Sequence, residues 1–241
     1  MKGLHIVHDT SIQDGDLDLG VSISFATKRV AEGEMFIVKG VFSPAALKEM
    51  VLEVFNSYKD VEPKVLDYHW GIENYWRLDN NPPKSSRPKV QSLYFTFFWN
   101  KEFPRVMEIG KMLGRLRNKI AGLDIDYGFR EDDEHLAYSL FQHYPLGGGF
   151  ICEHGDLLEP QKCVTVLNLP GDFDKGGLYV NPAGEKIPLE PLMEAGDLFI
   201  FRPNVLHGVD PIDPDKPLDF QSPNGRWRMA CALVQNKQRI Y

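Results

Sequence analysis

Hydrophobic and polar positions follow two different rhythms along the chain, and the change comes near residue 134. Upstream, two segments repeat at three-four spacing. Leu47, Met50, Val51, Val54, Phe55 and Tyr58 follow Ser43-Pro44, a hydroxyl suited to a helix cap and a proline suited to the first turn. The spacing predicts an amphipathic helix starting at Pro44. Val106, Ile109, Leu113, Leu116 and Ile120 trace a second helix from Pro104 to Ala121, with Gly122 placed to end it. SISFA, MFIVKGV and QSLYFTFFW (91–99) read as strands. Residues 60 to 90 carry Pro63, Pro82, Pro83 and Pro88, Trp70 and Trp76, and the run Leu78-Asp79-Asn80-Asn81. They read as a long irregular connection, of a kind that is usually functional or disordered, and the aromatic content argues for a loop that packs.

After residue 134 only short β segments remain: HLAYSLFQHY, GFICEH, KCVTVLNL, GGLYV, DLFIF and RMACALVQ, punctuated by Gly, Pro, Asp and Asn. Many short strands with such turns predict a sandwich or barrel. The expected fold is mainly β with flanking helices (α+β). One domain over 1–241 accommodates it, with 1–134 giving the N-terminal helices, edge strands and a lid loop, and 135–241 the β core.

Charge and composition narrow the function classes. The net charge of -7, from 27 basic and 34 acidic residues, gives no pull toward nucleic acid or anionic membranes. Cys152, Cys163 and Cys231 cannot all pair and form no C-x-x-C, which points to a reducing compartment. No apolar run approaches a membrane span, and the N-terminus turns polar too soon for a signal peptide. A soluble cytoplasmic protein acting on a small molecule is the expectation; the oligomeric state is not legible.

The candidate chemistry lies in His154-Gly155-Asp156, just after a strand, and His207, just after DLFIF. Positions i and i+2 of an extended segment face one way, so His154 and Asp156 can address one point. A third imidazole from a neighbouring strand completes the facial two-histidine, one-carboxylate set of non-haem Fe(II) oxygenases. Four features support the triplet: Gly147-Gly148-Gly149 before the strand entering it, the turn from Asp172 to Gly177, Gly196-Asp197 before LFIF, and Arg226 and Arg228 opening the last strand. A buried arginine implies an anionic partner, and its fork matches a carboxylate. Arg226 shares the parity of Arg228 and competes with it.

These residues resemble the Fe(II)- and 2-oxoglutarate-dependent dioxygenases, in particular the prolyl-hydroxylase-like branch, over about residues 135 to 236. The likeness rests on HYPLGGGFICEHGD, KCVTVLNL, GGLYV, GDLFIFRPNVLHGV and RWRMACALV. It implies a double-stranded β-helix (jelly-roll, cupin-like) catalytic core, with His154, Asp156 and His207 as iron ligands and O₂ and 2-oxoglutarate as co-substrates. Arg228 then pairs with the far carboxylate, because the family's closing Arg-x-Ala matches Arg228-Met229-Ala230. Tyr144 occupies the place of a tyrosine that touches the co-substrate and is expected to donate a hydrogen bond to it. Two departures stand out. Leu169 meets a position often held by a hydroxyl-bearing side chain, and DPIDPDKPLDFQSPNG lengthens the stretch between His207 and Arg228, an insertion expected to fold over the barrel mouth. Asp156 implies hydroxylation, since halogenating relatives carry a small residue there.

The expected activity is hydroxylation of an unactivated C–H in a small amino-acid-like or natural-product substrate, with release of succinate and CO₂. The alternatives are modification of a peptide or protein side chain, a non-oxidative metal-dependent cupin enzyme, or a silent binding protein. Gln142 and Asn168, with Trp76 and Arg77 and their neighbours Trp70 and Tyr75, are the candidate substrate contacts. Cys152 reads as a small buried hydrophobe, and His143, of opposite parity to Tyr144, is expected to point away from the site.

Overall fold

A computed structural model describes residues 3–63, 74–82, 85, 88–96 and 102–236. The N-terminal part gives β1 (Leu4–Val7), the small hairpin β2 (Ser11–Gln13) and β3 (Asp16–Asp18), helix α1 (Ile23–Ala31) and β4 (Met35–Val38). Helix α1 overturns the expectation of a strand at SISFA. Ser22 caps it, its side chain accepting from the Phe25 amide, and Ala26 and Val30 bury one face at i, i+4. The local Ser-Ile-Ser-Phe alternation is overridden because Phe25 stays exposed.

Helix α2 (Pro44–Tyr58) starts where the sequence predicts, although Ser43 makes no capping bond through its side chain. The stretch 60–90 is less irregular than expected. It contains β5 (Asn74–Asn80), which pairs antiparallel with β6 (Lys89–Thr96) from Asn74↔Phe95 to Asn80↔Lys89. Helix α3 (Pro104–Ala121) has the predicted bounds, and Gly122, at φ 70°, ends it with its amide on the Asn118 and Lys119 carbonyls.

The second half supplies β7 (His135–Pro145), β8 (Gly149–His154), β9 (Val164–Asp172), β10 (Gly177–Val180), β11 (Ile187–Pro188), β12 (Leu198–Phe201), β13 (His207–Ile212) and β14 (Gly225–Gln235). The strands run in the order β1-β4-β12-β9-β14-β7-β6-β8-β13-β10-β11, with β5 also on β6. The stretch from β1 to β6 is the major sheet, and β8, β13, β10 and β11 form the minor one. One ladder contact, Lys89↔Phe150, joins β6 to β8. The chain passes between the sheets at Leu146–Gly148. Gly147 sits there at φ 78°, and a Cβ on it would lie 2.3 Å from the Leu218 amide nitrogen, so only glycine fits.

This is the double-stranded β-helix that the resemblance implies, with N-terminal strands built into the same sheet as the core. Two apolar layers follow from strand alternation. Phe95, Phe141, Leu167, Leu169 and Trp227 face the helices, joined by Val54, Phe55, Leu113 and Leu116. Val164, Val166, Leu178, Phe199, Phe201 and Ala230 fill the barrel between the sheets.

The insertion between Ile212 and Gly225 does not cover the barrel mouth. It leaves β13 at the end far from His207, where Ile212 pairs with Gly149. There it turns onto the helix side: the Phe220 carbonyl accepts from Gln91, the Asn224 carbonyl bonds His143, and Gln221 donates to the Lys59 carbonyl. Asp213 ties it down by accepting from the Asp174 and Lys175 amides and from Lys216.

Candidate metal centre

The last residue of β8 and the first of β13 stand opposite each other in the ladder, His154↔His207. Pairing across the ladder brings the two imidazoles together, with ring centroids 4.4 Å apart. Asp156 lies two residues beyond β8, and its amide donates to the Pro203 carbonyl at 2.8 Å, which fastens the turn to the segment leading into His207. Its carboxylate then reaches both rings, at 3.9 Å from His154 Nε2 and 3.7 Å from His207 Nε2. One ligand atom from each residue falls within 4.8 Å of the others.

Second contacts set the tautomers. Each ring's Nδ1 lies 2.9 Å from the carbonyl two residues back, Cys152 for His154 and Val205 for His207. An Nδ1–H donated to a carbonyl leaves the Nε2 lone pair facing the common point. Burial, followed by the charge of His154, lowers the His207 pKa to about 4. His207 is therefore neutral near pH 7, as a metal ligand must be. The centre is open on one edge: the side chains of His154 and Asp156 are 31% and 37% exposed, against 11% for His207.

No protein-family model matches this sequence, and no curated protein matches it. Solved structures do. A Pseudomonas putida prolyl-4-hydroxylase is 16% identical with a TM-score of 0.54, over 89% of this chain and 99% of that one. A Trichoplax adhaerens prolyl hydroxylase in complex with a hypoxia-inducible-factor peptide is 12% identical with a TM-score of 0.54, over 90% and 91%. The dioxygenase for auxin oxidation 1 of Arabidopsis thaliana, with 2-oxoglutarate bound, is 16% identical with a TM-score of 0.52, over 96% and 92%. The fold is that of the 2OG-Fe(II) oxygenases.

Within this oxygenase fold, the cavity beside the three ligands is lined by Tyr144, Ile151, Val164, Val166, Leu178, Phe201, Val209 and Arg228. Arg228 is partly exposed to it and has no carboxylate partner among the described residues; its Nε donates to the Tyr144 hydroxyl at 3.3 Å. Arg226 differs. It is 1% exposed, Nε donates to Glu190 at 2.8 Å, Nη2 donates to Asn168 at 3.3 Å, and Nη1 is buried with no partner among the described residues. One guanidinium is already neutralised; the other waits at the cavity.

The candidate substrate contacts scatter. Gln142 and Asn168 face the barrel interior but do not line the cavity: Gln142 bonds Ser92 and Tyr144, and Asn168 bonds Arg226 and the Glu194 carbonyl. Trp76 is on the helix side, 5% exposed, its Nε1 donating to the Val61 carbonyl. Arg77 pairs with Asp79 at 2.8 Å. Trp70 and the side chain of Tyr75 lie outside the described residues. Leu169 is buried against the helices, and Val164 and Val166 form the β9 wall instead. His143 also faces the helices, stacked on Trp227 at 4.1 Å. Glu190 and Ser92 were not legible in the sequence, since only non-local pairing brings Glu190 to Arg226 and Ser92 to Gln142.

Proposed function

We propose that the chain is an Fe(II)- and 2-oxoglutarate-dependent oxygenase that hydroxylates an unactivated C–H of a small amino-acid-like or natural-product substrate. The observation that carries this is the coincidence, in one cavity, of the His154-Asp156-His207 set and an arginine with no carboxylate partner among the described residues. The donor set fits Fe(II), because two neutral imidazoles and one carboxylate on one face leave the opposite positions open. The unneutralised guanidinium fits a diacid, because a cation without a counter-ion at the wall of an apolar cavity calls for one.

Bound Fe(II), with 2-oxoglutarate and O₂, supplies the oxidation: one oxygen atom enters the substrate as hydroxyl, the other enters succinate, and CO₂ leaves. The protein's residues do the holding. His154, Asp156 and His207 fix the metal, and their carbonyl tethers keep both rings turned to it. Arg228 binds the far carboxylate of the diacid, with the Tyr144 hydroxyl beside it. Phe201, Val164, Val166 and Leu178 keep that pocket apolar, which strengthens the charged contact. The apolar wall beside Arg228 and the exposed edge at His154 and Asp156 divide the two ends of the cavity between co-substrate and substrate. That exposed edge also supports a second reading, a peptide side chain reaching the metal from outside.

Succinate release tests both. Fe(II)-loaded protein should release succinate from 2-oxoglutarate faster when its substrate is supplied from a panel of free amino acids, nucleosides and short peptides. Absence of any 2-oxoglutarate binding to the Fe(II)-loaded protein would refute the activity, and stimulation by peptides alone would select the second reading.

A further inference from the structure

Strand register lays a row of polar residues across the inner face of the major sheet. Arg77 on β5 stands opposite Ser92 on β6, Ser92 opposite Gln142 on β7, Gln142 opposite Arg228 on β14, and Arg228 opposite Asn168 on β9. The neighbouring row on the same face is Tyr94, Leu140, Ala230 and Val166. A leucine at position 142 would match that row, so the buried glutamine needs a reason.

Its hydrogen bonds supply one. Arg228 Nε donates to the Tyr144 hydroxyl at 3.3 Å, the hydroxyl donates to Gln142 Oε1 at 3.1 Å, and Gln142 Nε2 donates to Ser92 Oγ at 2.9 Å. The three bonds run in one direction. Tyr144 has a single proton, and Gln142 takes it, which turns a phenolic lone pair toward Arg228. With Nε held in this way, the two Nη groups of Arg228, which bond no described residue, form the edge left for a ligand. In this network the Tyr144 oxygen is an acceptor for the arginine and its proton is given to Gln142. Gln142 and Ser92 line no part of the cavity, so they act only through Tyr144 and Arg228.

We propose that Gln142, backed by Ser92, is a positioning residue that sets the Arg228 fork for the far carboxylate of a five-carbon 2-oxo diacid. The inference rests on the oxygenase reading and adds how the diacid is told from a 2-oxo monoacid. Satisfied buried networks of this kind fix geometry, whereas a half-satisfied one loosens it.

Anaerobic titration of Fe(II)-loaded protein, followed by the metal-to-ligand charge-transfer absorbance, tests it with two probes. 2-Oxoglutarate uses both the metal and Arg228, while pyruvate chelates the metal and has no far carboxylate. Gln142→Leu should raise the Kd for 2-oxoglutarate about fivefold, the worth of one ordinary hydrogen bond, and leave that for pyruvate unchanged. Gln142→Glu should cost more, because its carboxylate competes for Arg228. Ser92→Ala should move the ratio the same way by about twofold to threefold, and it decides alone if Gln142→Leu does not fold. Equal weakening of both probes would reduce Gln142 to a packing residue, and an unchanged ratio would remove it from the site; either overturns the proposal. Absence of the band in the wild type with either probe, with Mn(II) binding intact by electron paramagnetic resonance, would overturn the oxygenase reading itself.

Discussion

The two arginines that open β14 give opposite predictions, and comparing them tests the site. Arg228→Met removes one hydrogen bond, to Tyr144, worth about 1 kcal/mol. It also removes a cation that has no carboxylate partner among the described residues, whose desolvation opposes folding. The two terms offset, and the unfolding free energy of the metal-free protein should stay within about 1 kcal/mol of wild type. Binding should suffer instead. A charge-assisted bond to a carboxylate is worth about 1.5–3 kcal/mol, so even one such bond raises the Kd for 2-oxoglutarate roughly tenfold, and a two-pronged contact raises it roughly a hundredfold or more. Arg226→Met reverses the pattern. It strands Glu190 and Asn168, which receive Nε and Nη2, and breaking a buried pair costs about 3–5 kcal/mol. Glu190 keeps some solvent contact, with 17% of its side chain exposed, which places the loss near the lower figure. Urea unfolding and anaerobic 2-oxoglutarate titration on the same two variants separate the effects. An unchanged co-substrate affinity in Arg228→Met, or a larger loss of affinity in Arg226→Met, would show that the wrong guanidinium has been assigned.

Two further outcomes are expected. His154→Ala and His207→Ala should each abolish tight Mn(II) binding and all succinate formation, read by electron paramagnetic resonance and by a coupled assay; retained binding in either would break the ligand set. Burial holds the His143 pKa at about 4, against about 6.5 in an unfolded chain. Between those values the unfolded chain takes up a proton that the folded chain refuses, so stability present above pH 6.5 is lost on acidification, by about 3 kcal/mol near pH 4. His143→Gln should flatten that part of the pH profile in urea melts at pH 4.5 and 7, whatever it does to stability at neutral pH; a slope identical to wild type would remove His143 as its source.

Where a property was local, the sequence displayed it. The bounds of α3 follow from Pro104, Gly122 and the spacing of Val106 to Ile120, and the triplet His154-Gly155-Asp156 carries its own geometry. Helix α1 escaped because nine residues leave room for a chance alternation, and the buried pair Ala26 and Val30 is a weak helical mark. Strand β5 was hidden among prolines, since its partner β6 and not its own pattern holds it extended. The roles of Gln142, Asn168 and Trp76 depend on register across β5, β6, β7, β14 and β9, which no local pattern encodes. Parity put Arg226 and Arg228 on one face but could not separate them. Glu190, 36 residues away from Arg226, does that.

The placement of His154 opposite His207 on adjacent antiparallel strands has a consequence for assembly. Side chains alternate sides along a strand, so a slip of β13 by a single residue would swing His207 out of the barrel. Strand pairing and ion uptake are thus one event seen by two observers. Iron stoichiometry in a freshly refolded preparation should count the molecules that found the native alignment.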